Sequence, residues 1–231
     1  GNYLNLPSGT YLTNKLVIPT GFTIRGNGRN TIVKRQFFAN DGDGNLVGIG
    51  TTAGRDITIS DLTIDGNSGN NLRYGETVAS SDSFLVYLPS VTSTDIKNVE
   101  IRNSPENGLW IRDSNRLSMD GSSIVDGAQT DRYPYAPVDA QESTVLRIHD
   151  SLFENYPAAV DVSATEVTAT GGNIIRNCGT GIKVFASGKI STKDNIILGP
   201  SDEHIPSPDI YDSHFDSVNV SIDPTVNFDG P

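Results

Sequence analysis

The chain is poor in the residues that carry redox and metal chemistry. It has one cysteine, Cys178, among 231 residues, so no intrachain disulfide can form and stability must come from packing and hydrogen bonds. Cys178 follows Asn177 at a turn, with no base nearby in sequence, and reads as a small filler. The three histidines, His149, His204 and His214, show no metal-ligand spacing, and no metal site is expected. Lysine and arginine total 17 against 28 acids, a net charge of −11. That shortage of cations argues against nucleic acid and against an anionic membrane surface, both of which need clustered lysine and arginine. No apolar run reaches the roughly 18 residues of a membrane span, so no membrane insertion is expected, and no charged-then-apolar leader opens the chain. Gly26-Asn27-Gly28 lacks the third glycine and the helix of a phosphate cradle. Asp41-Gly42-Asp43-Gly44-Asn45 begins like a calcium loop, but Leu46 replaces the required glycine and Thr52 the closing glutamate, so it reads as a polar turn. No cofactor is expected.

What the chain does have is repetition. Val138, Val160 and Ile182 each open an apolar–x–apolar triplet, 22 residues apart, and a second apolar anchor follows 15 residues later at Phe153, Ile175 and Ile197. Asn155, Asn177 and Gly199, all turn-type residues, stand two places beyond those anchors. A short fixed period of strands and turns signals stacked repeats, because so small a unit cannot bury its own apolar face. The register runs backward through triplets at Val47, Val86 and Leu109, with trailing anchors at Ile64, Ile101 and Val125. Successive triplets are 39, 23, 29, 22 and 22 residues apart. The two long steps locate insertions, residues 66–83 and 127–137, that leave the stack at the same corner. The fold expected is all-β, a parallel β-helix of about nine coils. Residues 4–200 form its regular coils and residues 201–231 an irregular cap. The chain begins almost inside a strand, Tyr3–Leu6, with no cap before it, and is expected to be one domain cut from a longer protein.

Near the start, four strands are expected at Tyr3–Leu6, Leu16–Ile18, Phe22–Arg25 and Thr31–Lys34, with turns at Pro7-Ser8-Gly9 and Pro19-Thr20-Gly21. The stretch LPSGTY…IPTGFTIRGNGRNT, within Leu4–Arg35, resembles the opening coil of pectate-lyase-like right-handed β-helices, notably bacteriophage tailspike and tail-fibre proteins. The resemblance implies a right-handed solenoid. It implies no particular chemistry, since this coil occurs in lyases, hydrolases, epimerases and inert spikes. The polygalacturonase pattern (Asn-Thr-Asp, a paired Asp, Gly-His-Gly, Arg-x-Lys) is absent, and so are the alginate-epimerase motifs.

The candidate site follows from strand alternation. In each triplet the outer residues point inward and the middle one outward. Down the stack the middle residues are Gly48, Tyr87, Trp110, Asp139, Asp161 and Lys183. Tyr87 and Trp110 are expected as exposed platforms for pyranose rings. Asp139 and Asp161, on adjacent rungs about 4.8 Å apart, approach the roughly 5 Å separation of retaining glycosidases. Such a pair raises the pKa of one member, as a general acid requires, and Lys183 can hold the other ionised. Arg73 and Tyr133, from the two insertions, join Tyr87, Trp110 and Lys183 as substrate-binding candidates. An Asp–Asp–Lys run is also what a solvated ladder looks like.

A second column, Ile124, Leu152, Ile174 and Ile196, precedes the trailing anchors, beside a Ser123, Ser151, Asn173 and Asn195 ladder. One of the two apolar columns faces out, as an association stripe if it is this one, unless a strand-to-turn switch tucks both inside. With the tailspike resemblance such a stripe implies a homotrimer. The function expected is recognition of a host surface polysaccharide, with endoglycosidase cleavage left open, on a virion tail. The alternatives are a structural spike or baseplate module with no ligand, and a secreted bacterial polysaccharide hydrolase or lyase.

Overall fold

A computed structural model describes residues 2–19, 21–36, 47–49, 56–67, 84–104, 107–127, 137–156, 160–178, 182–184, 189–193, 196–198, 210–211 and 219–222, with side chains before residue 160 except at 47–49 and 141–144, and mostly as backbone from there on. Every pairing among them is parallel. The strands wind around three faces.

Face A holds β3 (Leu16–Ile18), β6 (Val47–Ile49), β8 (Phe84–Pro89), β10 (Asn107–Arg112), the starts of β13 (Val138–His149) and β15 (Val160–Thr170), then β17 (Ile182–Val184) and β20 (Ile210–Tyr211). Face B holds β1 (Asn2–Asn5), β4 (Phe22–Arg25), the starts of β7 (Ile57–Asp65) and β9 (Ser93–Arg102), β11 (Arg116–Asp120), the ends of β13 and β15, β18 (Lys189–Lys193) and β21 (Asn219–Ile222). Face C holds β2 (Gly9–Thr13), β5 (Thr31–Arg35), the ends of β7 and β9, β12 (Ser123–Val125), β14 (Leu152–Tyr156), β16 (Ile174–Cys178) and β19 (Ile196–Leu198).

The triplet register holds as the sequence pattern places it, from Val47 beside Val86 to Val160 beside Ile182. Face B and strand β2 are additions that the triplet-and-anchor pattern leaves out. One anchor shifts: Ile124, not Val125, pairs with Ile101 and Phe153 and is fully buried. The two tail strands β20 and β21 extend faces A and B in register.

Alternation drives the packing. Val86, Leu109 and Val138 stack inward on face A, Ile59, Ile96 and Met119 on face B, and Ile64, Ile101, Ile124, Phe153 and Ile175 on face C, each at most 1% exposed. Burial of such a side chain contributes about 1.5–3 kcal/mol.

The corners are made by residues that tolerate left-handed backbone. Asp61 (φ 56°), Asn98 (φ 51°) and Asp150 (φ 46°) turn the chain from B to C, and Gly121 (φ 55°) does so without a side chain. Asn103 (φ 51°), Asp126 (φ 57°) and Asn155 (φ 58°) turn it from C to A. Short polar side chains visit this region because they hydrogen-bond locally. They also link rungs: the Asn98 amide donates to Asp61 at 3.0 Å and the Asn155 amide to Asp126 at 2.6 Å.

The polar ladder sits at the B–C corner, one residue earlier than expected at its first member. Ser122, not Ser123, accepts the Val99 N–H at 3.1 Å, and the Asn173 side-chain oxygen accepts the Ser151 N–H at 3.0 Å. Ser122, Ser151 and Asn173 are all buried. The Ser122 and Asn173 side chains bond to backbone of the neighbouring rung, and the Ser151 hydroxyl donates to the His149 carbonyl of its own rung at 2.7 Å. Asn195 lies outside the described residues. The expected association stripe is corrected with it. Ile124 is core, and the outward column is Ser123, Leu152, Ile174 and Ile196, of which Ser123 is buried and Leu152 and Ile174 are half-buried.

Candidate functional site

The outward column of face A is in register from end to end. Val17 pairs with Gly48, Gly48 with Tyr87, Tyr87 with Trp110, Trp110 with Asp139, Asp139 with Asp161 and Asp161 with Lys183. Lys183 in turn pairs with Tyr211. The sequence pattern missed Tyr211 as a member because the step from Ile182 to Ile210 is 28 residues rather than 22.

The top of the column is an aromatic stack. Tyr87 and Trp110 lie with ring centroids 4.6 Å apart and planes 16° from parallel. Phe84 joins them, 4.8 Å from Trp110 and 5.7 Å from Tyr87. Were Trp110 sandwiched between the other two, those would stand roughly twice the single stacking distance apart. They therefore lie side by side over one face of the indole. Phe84 reaches this side because alternation breaks along β8: Leu85 and Val86 are both fully buried, so Phe84 and Tyr87 share the outward side. The over-long apolar run Phe84–Leu88 was the signal for it in the sequence.

This corrects the expectation of an exposed Trp110. Its side chain is only 8% exposed, and Phe84 and Tyr87 cover one of its faces. Tyr87, at the top of the stack, is half-buried and keeps more of its surface in water. Asp139 is half-buried, on the rung below Trp110. Asp161 and Lys183 are placed by backbone register alone.

Both insertions leave at the corner beside this face. The first leaves after Asn67 and returns at Phe84; the second leaves after Gly127 and returns at Pro137. Arg73 and Tyr133, with Glu76 and Asp131, lie outside the described residues. The exit of the first is clamped by Asp65. Its carboxylate accepts the Asn67 N–H at 2.8 Å, the Asn103 amide at 3.2 Å and the Arg102 guanidinium at 3.1 Å. Burial pushes this carboxyl up, but those three donors outweigh it and hold it below the usual carboxylate range. The exit of the second is fixed by close approach: a Cβ at Gly127 would collide with the ring of Tyr156, which is fully buried.

Arg102 also reaches Glu100 at 2.9 Å, and Arg176 pairs with Glu154 at 2.7 Å, so face C carries ion pairs outside. His149 bonds the Thr170 carbonyl through Nδ1 at 3.0 Å on face B, away from the column. Burial pushes the Cys178 thiol up to about 11, which leaves it unreactive near neutral pH. Among the described residues no group of three histidine, cysteine or acidic side chains could hold a metal.

A family model described as a right-handed beta helix region matches residues 48–205. The chain belongs to the right-handed beta-helix family. The match covers every rung of the outward column from Gly48 to Lys183. No curated protein matches the chain. Among solved structures, this β-helix is similar to a pectin methylesterase from Yersinia enterocolitica, at 12% sequence identity and a TM-score of 0.47, over 90% of this chain and 88% of that one. Membership of the β-helix family fixes the architecture and leaves the chemistry to the residues on its outer faces.

Proposed function

We propose that this β-helix is a tailspike- or tail-fibre-like domain that binds a host surface polysaccharide along the outward column of face A. The observation that carries the reading is that column itself. Aromatic rings, two acids and a lysine fall into one in-register line, beside the corner from which both insertions leave. Rings give flat apolar contact to sugars, and acids and amines give hydrogen bonds to hydroxyls. The reading carries a homotrimer on a virion tail. It also gives Asp139 and Asp161 the spacing in which one carboxyl can protonate a leaving oxygen and the other attack the anomeric carbon.

The test is binding and product release. The domain should bind at least one polysaccharide on an array of purified bacterial capsular and O-antigen polysaccharides. Incubation with that polymer then separates an adhesin from an endoglycosidase. If oligosaccharides are released, Asp139→Asn or Asp161→Asn should abolish release while leaving binding near wild type, since an amide keeps the shape but can neither protonate nor attack. Release by both variants would place the chemistry elsewhere, with Glu76 and Asp131 the next acids to test. No binding at all, by a folded sample, would sink the reading. A second reading, a structural spike without ligand, is favoured by the burial of Trp110, since a covered aromatic stack also stabilises a solenoid.

A further inference from the structure

The outward column contains one residue with no side chain, Gly48, and it lies directly above the aromatic stack. The rung below it presents Tyr87, whose ring is backed by Trp110. The rung above presents Val17, 48% exposed. Glycine is disfavoured in strands because it packs nothing and costs conformational entropy. In a strand interior it often marks a place where another group comes close to the backbone.

We infer that Gly48 makes a notch in face A that seats one pyranose ring, floored by Tyr87, backed by the Gly48 backbone and roofed by Val17. The inference rests on the polysaccharide reading above for the identity of the guest. Tyr87 and Val17 stand two rungs apart, roughly 9.6 Å. Van der Waals contact takes roughly 3.5–4 Å on each face of a flat ring, so one six-membered ring fits between them and two do not. The notch also reassigns the aromatics. Trp110 has one face taken by Phe84 and Tyr87 and is almost wholly covered, so it and Phe84 are positioning residues that hold the Tyr87 ring flat. Tyr87, at the upper end of the stack and half-buried, is the ring that meets the sugar.

Gly48→Val tests this without touching the aromatic stack. Valine suits a strand better than glycine, so the melting temperature should hold or rise. The fluorescence of Trp110, the only tryptophan, should stay as shielded from acrylamide as in the wild type. Affinity for the polysaccharide selected on the array should fall roughly tenfold or more, because the side chain occupies the sugar's place. Tyr87→Ala should lose affinity as well. Gly48→Ala, a smaller change, should fall between wild type and Gly48→Val, and it carries the test should Gly48→Val not fold. Wild-type affinity in a folded Gly48→Val, or in Gly48→Ala and Tyr87→Ala together, would overturn the notch while leaving polysaccharide recognition standing. A wild type that binds nothing on the array would remove recognition itself, and the sugar as the notch's guest with it.

Discussion

At the scale of single residues, burial and pairing separate side chains that look alike in the sequence. Trp110 is the clearest case: placed outward by alternation, it is covered by neighbours on the rung above. Trp110→Ala should therefore cost about 3 kcal/mol or more of stability, as removing a packed aromatic does, read as a lower urea midpoint. A loss confined to ligand affinity, with the midpoint unchanged, would show that the stack does not form. Thr94 is the opposite case. It points inward between Ile57 and Leu117, is fully buried, and its hydroxyl has no hydrogen-bond partner among the described residues. Thr94→Val keeps the shape and removes the stranded hydroxyl, so stability should rise by about 1 kcal/mol, measured by the same denaturation. A destabilised Thr94→Val would mean the hydroxyl is satisfied.

At the scale of elements, the corners decide where the insertions leave, and Asp65 is the corner group whose ionisation matters. Its folded-state pKa lies below its ordinary value. Its stabilising contribution is therefore full above the unfolded pKa, near 4, and is lost as pH falls through the folded value. Asp65→Asn should lower stability at neutral pH by about 1–3 kcal/mol. The gap between variant and wild type should narrow as the pH drops below about 4. Melting curves from pH 7 down to pH 3 check this; a gap independent of pH would place the effect in shape rather than charge. Asp61, in a corner one face earlier, is also held low, chiefly by the hydrogen bond from Asn98 and against the opposing pull of desolvation, but it is more exposed and has less to contribute.

At the scale of the whole molecule, stacking leaves three outer faces with different characters. Face A carries the column and the insertion corner. Face C carries ion pairs at Asp65, Glu100, Arg102, Glu154 and Arg176, and beside them the half-buried aliphatics Leu152 and Ile174. The homotrimer proposed with the tailspike-like reading would bring three such solenoids side by side. Sedimentation equilibrium should then give three times the 24.7 kDa of the chain; a monomer at every concentration would remove Leu152 and Ile174 from the association argument.

The one-dimensional pattern determined the architecture, because in a solenoid each rung contacts only its neighbours and a 22-residue period in sequence becomes a rung spacing in space. It placed Gly48, Tyr87, Trp110, Asp139, Asp161 and Lys183 in one line for the same reason, since alternation and period are both local properties. Local properties could not say which outward residues are covered. Trp110 is stacked on by Phe84, which alternation assigns inward and which a break in that alternation turns outward. Nor could the pattern place Ile124 against Val125, because two adjacent apolar residues satisfy an anchor equally well, and only pairing with Ile101 and Phe153 chose between them. The identity of Gly48 was plain from the start. Its standing as a notch came from what tertiary structure put above and below it, a half-buried ring on one rung and a valine on the other.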